Sequence, residues 1–370
     1  MKEIKKALIV AAALRIGGAE KVARDIGLFA DPERFEVHYL VFGNEIGDYE
    51  QELRDHGCRI FHMDAPRMGY LRFYKSLRRL MRQNHYAIVH AHTMFSIGLI
   101  MLASWQEKIP VRIAHAHSAL NDGGGLVKRA YETVMRRWIL RYATDLIACG
   151  EAAGIRLYGK KAFSEKGQLI LNGIRTEGFR YSTEARERIR SDLQIGNVFV
   201  IGHVGHMAPV KNQSYLIRLL REIQRRKPDA KLLLLGDGED RLKLEQLARQ
   251  LDLEDHIIMT GNVRNVSDYL SAMDVFVFPS LYEGMPISIV EVQANGLPCV
   301  LSTGVPKDVY LTDLIYSLPL EQPSQWVDVI CSVERKEPEK YADLMKKSGF
   351  DTTNLMKKYY QIYERADRID

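Results

Sequence analysis

The chain has 370 residues, of which 46% are hydrophobic and 27% charged. This composition is too apolar for a disordered protein, and the length exceeds the roughly 250–300 residues that one hydrophobic core supports, so we expect two domains. No apolar run reaches the ~20 residues that a membrane-spanning helix needs. The formal net charge of +5 is concentrated in the first half, which fits an anionic substrate, an anionic membrane surface or nucleic acid. The four cysteines are far apart and predict free, buried thiols.

Short apolar runs alternate with longer amphipathic stretches along the whole chain, a pattern typical of parallel sheets covered by helices. The apolar run Ala7–Ala13 also resembles part of a signal peptide, but it continues through Gly17 and Gly18 into a helical pattern. A buried first strand is therefore the favoured interpretation, and we expect a cytoplasmic protein. The predicted strands are Ala7–Ala12, Glu36–Phe42, Arg59–Met63, Ile88–His92, Arg112–His115, Asp145–Cys149, Gln168–Leu171, Val198–Val204, Lys231–Leu235, His256–Thr260, Val275–Pro279 and Pro298–Leu301.

The second series of strands restarts the pattern after a segment rich in Gly, Arg and Glu with little apolar periodicity. This predicts a first α/β domain over residues 1–175, an interdomain linker over 176–195 and a second α/β domain over 196–348. The last stretch, 349–370, has Leu355, Tyr359 and Ile362 at helical spacing. We expect it to be a helix that crosses back to the first domain.

The stretch from Val275 to Pro298 reads as strand, loop, helix and strand. Gly284 lets the backbone approach a ligand and Pro286 suits the first turn of a helix, so the amides from Met285 to Ser288 predict an anion site. Two glutamates eight residues apart are in isolation most often solvated surface groups. Here Glu283 follows the carboxyl end of an apolar strand, which is where open α/β sheets place ligands, and Glu291 lies in the following helix.

Two further loops support a phosphate site. Lys211 follows a Gly-containing strand exit, where a lysine is either an ordinary surface group or the point charge of a phosphate loop, and we favour the latter. Gly236-Asp237-Gly238 follows another strand and by itself suits any tight turn.

With these residues in view, the spacing Glu283 to Glu291 resembles the E-x7-E signature of the retaining glycosyltransferases of family 4, which have the two-domain GT-B fold. The resemblance extends in family order over nearly the whole chain. Its other segments are Gly17-Gly18-Ala19-Glu20, Gly205 to Asn212, Leu235 to Glu239, Gly261-Asn262-Val263 and the closing Phe350-Asp351 with its terminal helix.

The resemblance implies a cytoplasmic glycosyltransferase of cell-surface polysaccharide assembly, with a nucleoside diphosphate sugar, expected to be a UDP-sugar, as donor. It implies retention of anomeric configuration and no cofactor or metal. Glu283 is expected to orient the sugar, Lys211 to stabilise the leaving diphosphate, and His117 to contact the sugar. The residues expected to bind the donor are Gly17, Gly18, His206, Lys211, Gly236, Asp237, Asn262, Val263, Glu283, Gly284, Met285, Ser288, Ile289 and Glu291.

One position departs from the family pattern, because His206 stands where the phosphate loop usually carries an Arg. A neutral histidine is a weaker partner for a diphosphate than a guanidinium, so the departure predicts weak or pH-dependent donor binding, or only a space-filling role for the ring. Two other functions stay open for the same fold. They are a sugar-nucleotide epimerase and an inactive homologue that serves as a binding subunit.

Four histidines cluster at the ends of two predicted strands. His90 and His92 share one face of their strand, and His115 and His117 share one face of theirs. A metal site is conceivable, but no acidic residue is spaced with them, so core or cleft-lining histidines are favoured. The resemblance points to His117 as the sugar contact, with His115 as second choice.

Two basic stretches lie in the first half. The first combines Arg67, Arg72, Lys75, Arg78, Arg79 and Arg82 with Tyr70, Leu71, Phe73 and Tyr74, and the second is Lys128–Arg141. Each predicts either a solvated helix face or a surface that binds an anionic membrane or a lipid-linked saccharide acceptor. Nucleic acid is disfavoured because no nucleic-acid-binding fold accompanies the charge.

Overall fold

The computed structural model describes residues 4–118 and 125–368. The chain divides into two compact units. The first comprises the residues up to Gly173 together with those from Thr352 onward, and the second is Ile174–Asp351.

The first unit contains a parallel sheet of seven strands, ordered β3-β2-β1-β4-β5-β6-β7. The interior strand β1 is buried from Ala7 to Ala11, as expected for a parallel strand with both faces covered. The strands are β1 (Lys5–Ala11), β2 (Phe35–Phe42), β3 (Arg59–Met63), β4 (Ile88–Ala91), β5 (Val111–Ala116), β6 (Asp145–Ala148) and β7 (Gly167–Leu169). The helices are α1 (Gly18–Leu28), α2 (Glu50–Asp55), α3 (Ala65–Met68), α4 (Tyr70–Asn84), α5 (Ile97–Gln106), α6 (Leu126–Tyr142), α7 (Glu151–Tyr158) and α8 (Lys160–Lys166).

The second unit contains a parallel sheet of six strands, ordered β10-β9-β8-β11-β12-β13. The strands are β8 (Val200–Val204), β9 (Lys231–Leu235), β10 (Ile257–Gly261), β11 (Val275–Phe278), β12 (Cys299–Ser302) and β13 (Ile315–Leu318). The helices are α9 (Thr183–Asp192), α10 (Gln213–Ile223), α11 (Arg241–Gln250), α12 (Val266–Ala272), α13 (Ile287–Ala294), α14 (Pro323–Ser332) and α15 (Glu339–Lys347).

The terminal helix α16 (Thr352–Tyr363) belongs to the first unit. Its apolar face, which includes Leu355, Tyr359 and Ile362, is buried in the core beneath β1 and β4. The hydroxyl of Tyr363 lies 2.9 Å from Nδ1 of His90. The helical spacing of these residues therefore corresponds to a buried face.

The α/β class and the parallel sheets confirm the fold expected from the sequence. All twelve predicted strands are present, with ends that differ by a few residues at most. The sequence did not predict β13, an edge strand whose two middle residues, Tyr316 and Ser317, are exposed. A strand whose faces are only partly covered carries no continuous apolar run, and β13 therefore lacks the signal by which the other strands were predicted.

The predicted linker 176–195 is wrong as a linker, since the structure folds it into the second unit as a 3-10 turn and α9. Ser182 caps α9 by accepting a hydrogen bond from the amide of Ala185. Arg186 and Arg190 bind the two carboxylate oxygens of Asp274 at 2.6 and 2.8 Å. Ion pairs and a cap hold this helix in place, and these leave no apolar periodicity in the sequence.

The four cysteines are free thiols, of which Cys331 is half-buried and the others buried. Burial raises the pKa of the Cys58 and Cys149 thiols to about 11, so neither is activated as a nucleophile. Within residues 4–118 and 125–368, no helix combines the length and apolar character needed to cross a membrane.

Candidate functional site

The motifs of the second unit lie in loops that follow the carboxyl ends of its parallel strands. Parallel strands end at one edge of a sheet, and such an edge is where open α/β sheets bind ligands. Backbone hydrogen bonds join the loops to one another. The amide of Leu281, after β11, donates to the carbonyl of Val210, after β8, at 2.8 Å, and the amide of Gly236, after β9, donates to Gly261 at 2.9 Å.

The loops after β8 and β9 approach each other so closely that two glycines are required. A Cβ atom on Gly236, which has φ +124°, would lie 2.2 Å from the carbonyl oxygen of Gly205. A Cβ atom on Gly238 would lie 2.4 Å from the carbonyl oxygen of Met207. The Gly-Asp-Gly turn is therefore a packing requirement of this edge, whatever ligand it binds.

Asp237, between these glycines, contributes to the same contact through its backbone. Its carbonyl accepts a hydrogen bond from the amide of Met207 at 2.9 Å, and its carboxylate accepts one from the amide of Gly238 at 2.8 Å. Asn262 is exposed and Val263 half-buried in the turn that follows β10. Both lie at the same edge of the sheet, and their expected contact with the donor stays a prediction.

Lys211 and Glu283 meet as an ion pair, with Nζ 2.7 Å from Oε1. Lys211 ends a 3-10 turn, Pro209–Lys211, after β8, and Glu283 lies in the loop after β11, where its amide donates to the carbonyl of Gly304 at 3.2 Å. The side chains are 21% and 10% exposed. Two residues that are 72 positions apart in sequence thus form one charged group at the sheet edge.

A second partner of Lys211 is the ring of Phe278, the last residue of β11, whose centroid is 4.9 Å from Nζ. The ring faces the ammonium group, a geometry that stabilises a cation. The sequence reading missed this residue, because a buried aromatic at the end of a strand is normally only a core residue.

The helix α13 begins immediately after the loop that carries Glu283. Pro286 is the N-cap residue of α13, whereas the sequence placed it within the first turn of the helix. Gly284 has open space around the position of a Cβ atom. Met285 and Ser288 are half-buried beside it. The side chain of Ile289 is fully buried, and its amide donates to the carbonyl of Pro286 at 3.1 Å. The expected role of Ile289 in donor binding stays a prediction.

Glu291 lies in α13 and is only 8% exposed. A surface carboxylate, which is the ordinary state of a glutamate, is therefore excluded for this position. A buried carboxylate needs hydrogen-bonding partners, so Glu291 is a site component or a structural anchor of α13.

The ring of His206, in the place of the family arginine, lies beside a carboxylate, with Nε2 2.8 Å from Oε2 of Glu239. Both side chains are more than half exposed, so this pair contributes little to stability. A space-filling role in a core, one of the two alternatives that the sequence left for His206, is therefore wrong.

In the first unit, Gly17 and Gly18 stand at the start of α1, directly after the loop that follows β1. A Cβ atom on Gly17 would lie 2.3 Å from Oε2 of Glu20, so this carboxylate folds back over the first turn of the helix. Burial raises the pKa of Glu20. The glycine thus makes room for an acid that already covers the helix N-terminus.

The four histidines lie in contact at the carboxyl ends of β4 and β5. Nε2 of His90 is 3.1 Å from Nδ1 of His115, and Nδ1 of His92 is 2.7 Å from Nε2 of His117. His90 stacks near His92 with centroids 4.3 Å apart, and His115 near His117 at 4.0 Å. The alternating spacing predicted the shared faces, but not the two cross-strand pairs.

These histidines are neutral because burial disfavours the imidazolium form. Burial lowers the pKa of His117 to about 3. The pKa of His90 is also lowered to about 3, mainly by burial and to a smaller extent by the nearby His117. The pKa values of His92 and His115 are lowered well below the usual range, mainly by burial. A neutral imidazole can donate or accept a hydrogen bond but carries no charge.

One group in the described part of the chain has the spacing of a metal site, since ligand atoms of His90, His92 and His115 lie within 4.8 Å of one another. A nitrogen on each of these three residues already faces another imidazole. His92 and His115 each keep a second nitrogen, Nε2, that is buried without a hydrogen-bond partner among the described residues. Both nitrogens of His90 are engaged, so a cation would have to displace a partner of His90. No carboxylate belongs to the group.

The basic stretch that includes α4 is divided by the structure into a paired and an exposed part. Arg78 and Arg82 both bind the carboxylate of Glu107, at 2.6 and 2.9 Å, so these two are not available to an external anion as the sequence suggested. Around the starts of α4 and α6, the chain exposes four apolar or aromatic residues, and a Tyr70–Tyr131 ring contact at 6.3 Å joins the two helices. They are Tyr70, Leu71, Leu126 and Val127, and we call them the apolar patch.

Comparison with known proteins gives a consistent result over both units. The family model described as "Glycosyl transferases group 1" matches residues 185–348, and the model "Glycosyltransferase Family 4" matches residues 16–177. The putative glycosyltransferase EpsF of Bacillus subtilis is 32% identical, over 99% of this chain and 98% of its own. The capsular polysaccharide biosynthesis glycosyltransferase CapH of Staphylococcus aureus is 24% identical, over 94% of this chain and 95% of its own.

Among solved structures, HepE of Anabaena in complex with UDP and glucose has a TM-score of 0.78 to this chain. The alignment covers 97% of this chain and 99% of HepE at 20% identity. At that identity the likeness establishes a shared fold.

Proposed function

Because the chain belongs to glycosyltransferase family 4, we propose that it transfers a sugar from a UDP-sugar to an acceptor hydroxyl with retention of anomeric configuration. Membership of the family makes the chain a glycosyltransferase. What we propose in addition is its donor, its stereochemistry and the roles of its individual residues. The observation that carries it is the Lys211–Glu283 pair at the carboxyl edge of the second sheet. This pair offers a cation for a diphosphate and a carboxylate for sugar hydroxyls side by side.

In the proposed reaction, the bond from the anomeric carbon to the diphosphate oxygen breaks, and a bond to the acceptor oxygen forms on the same face of the sugar. The acceptor proton leaves with the diphosphate. Lys211 and the amides before α13 stabilise the charge that develops on the leaving group. Glu283 orients the sugar, Glu291 accepts hydrogen bonds from the ribose hydroxyls, and His117 contacts the sugar. No cofactor or metal is assigned a step.

We further propose that the acceptor is a lipid-linked saccharide of cell-surface polysaccharide assembly, and that the protein lies at the cytoplasmic face of a membrane. The names of EpsF and CapH support the glycosyltransferase class and, for CapH, the pathway. The apolar patch supports the location, because Leu71 is 79% and Leu126 83% exposed, with exposed Arg72 and Lys75 nearby. An apolar surface among basic residues binds anionic lipid headgroups.

Metal-free calorimetric titration with UDP, GDP, ADP and their sugar conjugates tests the donor. UDP is the nucleotide of the HepE complex, which is the reason to titrate it first. We expect saturable binding of one nucleotide series that Glu291→Gln weakens and that the control Glu254→Gln, an exposed acid of the same unit, leaves unchanged. Binding of none of them would favour an inactive binding subunit, with His206 as the first position to restore to Arg.

Stereochemistry and acceptor require a product. Proton NMR of the new anomeric centre distinguishes retention from inversion. Conversion of the UDP-sugar to its epimer without acceptor would instead identify an epimerase. Activity that survives exhaustive chelation would support the metal-independent mechanism.

Vesicle co-sedimentation tests the membrane proposal. We expect the protein to bind vesicles that contain phosphatidylglycerol but not pure phosphatidylcholine, and less so at high salt. The double change Leu71→Ser and Leu126→Ser should abolish this binding. Leu242→Ser is the matched control, since Leu242 is 71% exposed in the second unit. Equal binding by both variants would contradict the proposal.

A further inference from the structure

The four buried histidines form two imidazole pairs, and the geometry of each pair is in line. In the His92–His117 pair the ring centroids are 5.0 Å apart and the interplanar angle is 22°, while the facing nitrogens are 2.7 Å apart. In the His90–His115 pair the corresponding values are 5.2 Å, 11° and 3.1 Å. The difference between centroid and nitrogen distances is about two ring radii, so the nitrogens face each other along the line between the rings.

An in-line contact between two neutral imidazoles is a hydrogen bond that contains one proton. One ring donates and the other accepts. The tautomer of one ring therefore fixes the tautomer of the other, as second-sphere partners of a functional histidine do. In the His92–His117 pair this coupling has a consequence for the outer nitrogen of His117.

That outer nitrogen, Nδ1 of His117, is buried and has no hydrogen-bond partner among the residues described, and the same holds for Nε2 of His92 at the other end of the pair. Leaving such an atom unsatisfied costs free energy, and an orphaned group of this kind marks a place for water or a ligand. If Nδ1 of His92 donates to Nε2 of His117, neutral His117 must carry its own proton on Nδ1. His117 then presents a neutral N–H donor.

We propose that His92 is a positioning residue that fixes His117 as the Nδ1–H tautomer, so that His117 donates a hydrogen bond to a sugar oxygen of the substrate. The inference rests on the sugar contact proposed above for His117. It assigns His92, which no part of the proposed reaction uses, a role through another side chain. The second pair differs in one of its two outer nitrogens, because Nδ1 of His90 lies 2.9 Å from the hydroxyl of Tyr363, whereas Nε2 of His115 is buried without a partner among the described residues. The contact with Tyr363 ties that pair to the terminal helix α16.

Two amide substitutions separate this role from simple core filling. In His92→Asn the side-chain amide lies where Nδ1 was and can still donate to His117. In His92→Gln the amide lies where Nε2 was and cannot. The assay measures UDP release from the UDP-sugar selected by titration. We expect kcat of His92→Asn to stay within about threefold of the wild-type value. In His92→Gln kcat should fall by about 10 to 100-fold, with an unchanged KM. His90→Gln is the control in the other pair and should lower the melting temperature without this selective loss.

Nitrogen NMR of protein labelled on histidine gives a readout that is independent of activity. The wild type should show His117 as the Nδ1–H tautomer, His92→Asn should retain it, and His92→Gln should change it. Three results overturn the proposal: a His117 protonated on Nε2 in the wild type, equal kcat in the two variants, or stoichiometric Zn²⁺ binding that perturbs the His90, His92 and His115 signals. If the wild type neither binds nor hydrolyses any nucleotide sugar, the proposed function fails, while the NMR result still decides the tautomer.

Discussion

Substituting Lys211 by Met removes the cation of the candidate site but keeps the length of the side chain. Glu283, whose side chain is 10% exposed, then loses its only charged partner described here. Breaking fully buried ion pairs costs about 3–5 kcal/mol and breaking exposed ones about 1 kcal/mol or less. For this partly buried pair we expect a loss of about 2 kcal/mol in the free energy of unfolding of the second unit.

The effect on transfer should be larger than the effect on stability. Removing one preorganised group that stabilises the transition state lowers kcat about 10²- to 10³-fold. The reverse change, Glu283→Gln, leaves Lys211 over the Phe278 ring, and we expect it to cost about 1 kcal/mol of stability. Lys243→Met is the control, because Lys243 forms an equally short pair with Asp240 but is 73% exposed.

The double variant Lys211→Met with Glu283→Gln separates two explanations of a lost activity. It removes the stranded carboxylate, so stability should return most of the way to the wild-type value while transfer stays low. Denaturant unfolding and initial rates of transfer measure the two quantities. Recovered activity in the double variant would refute the reasoning, because the loss in Lys211→Met would then come from repulsion between Glu283 and the diphosphate.

Three further outcomes follow from the structure. Gly236→Ala places a Cβ atom 2.2 Å from a backbone oxygen, so it should cost more than about 3 kcal/mol and abolish nucleotide binding. Gly159→Ala is the control, because Gly159 also has a positive φ, +86°, but open space around the Cβ position, and it should cost about 1 kcal/mol. Similar melting temperatures would contradict this. Asp274→Asn leaves two arginines of α9 without their carboxylate and should lower the free energy of unfolding, measured by urea denaturation, by about 2–4 kcal/mol. A loss below about 1 kcal/mol would show that these ion pairs do not hold α9 in place. Burial lowers the pKa of His90 and His117 to about 3, below the ~6.5 of the unfolded chain. The stability contributed by each neutral ring is therefore present above pH 6.5 and falls by about 1.4 kcal/mol per pH unit toward pH 3. Equal urea midpoints at pH 7 and pH 5 would be inconsistent with neutral buried rings.

Much of the fold could be predicted because buried parallel strands are continuous apolar runs. The Val275–Phe278 strand and the loop after it carry both the fold signal and the ligand signal, so the Glu283 loop could be located as well. The sequence did not predict β13 or α9. The first is an edge strand that pairs only with β12, and the second is held in place by ion pairs with Asp274. Neither leaves a periodic apolar pattern.

The candidate site was predictable as a set of loops but not as a set of contacts. Strand order brings the loops after β8 and β11 together, and the pairing of Lys211 with Glu283 depends on that order. The partner of His206 is likewise 33 residues away. Spacing rules describe neighbours within one element, so contacts of this kind, including the His92–His117 pair, appear only when the sheet is assembled.

The pairing of Lys211 with Glu283 implies that Glu283 has two partners in turn. Without donor, it neutralises Lys211 at 2.7 Å; with donor, the proposed reaction requires Lys211 on the diphosphate and Glu283 on the sugar. Bare UDP supplies the diphosphate without the sugar, so it must compete with Glu283 for the cation. Glu283→Gln should therefore bind UDP more tightly than the wild type, by about three- to tenfold for a gain of about 1 kcal/mol, while transfer from the UDP-sugar falls. Calorimetry and initial rates measure the two effects, with Glu291→Gln as the contrast that should weaken both. Weaker UDP binding by Glu283→Gln would show that Glu283 aids the diphosphate rather than competing with it.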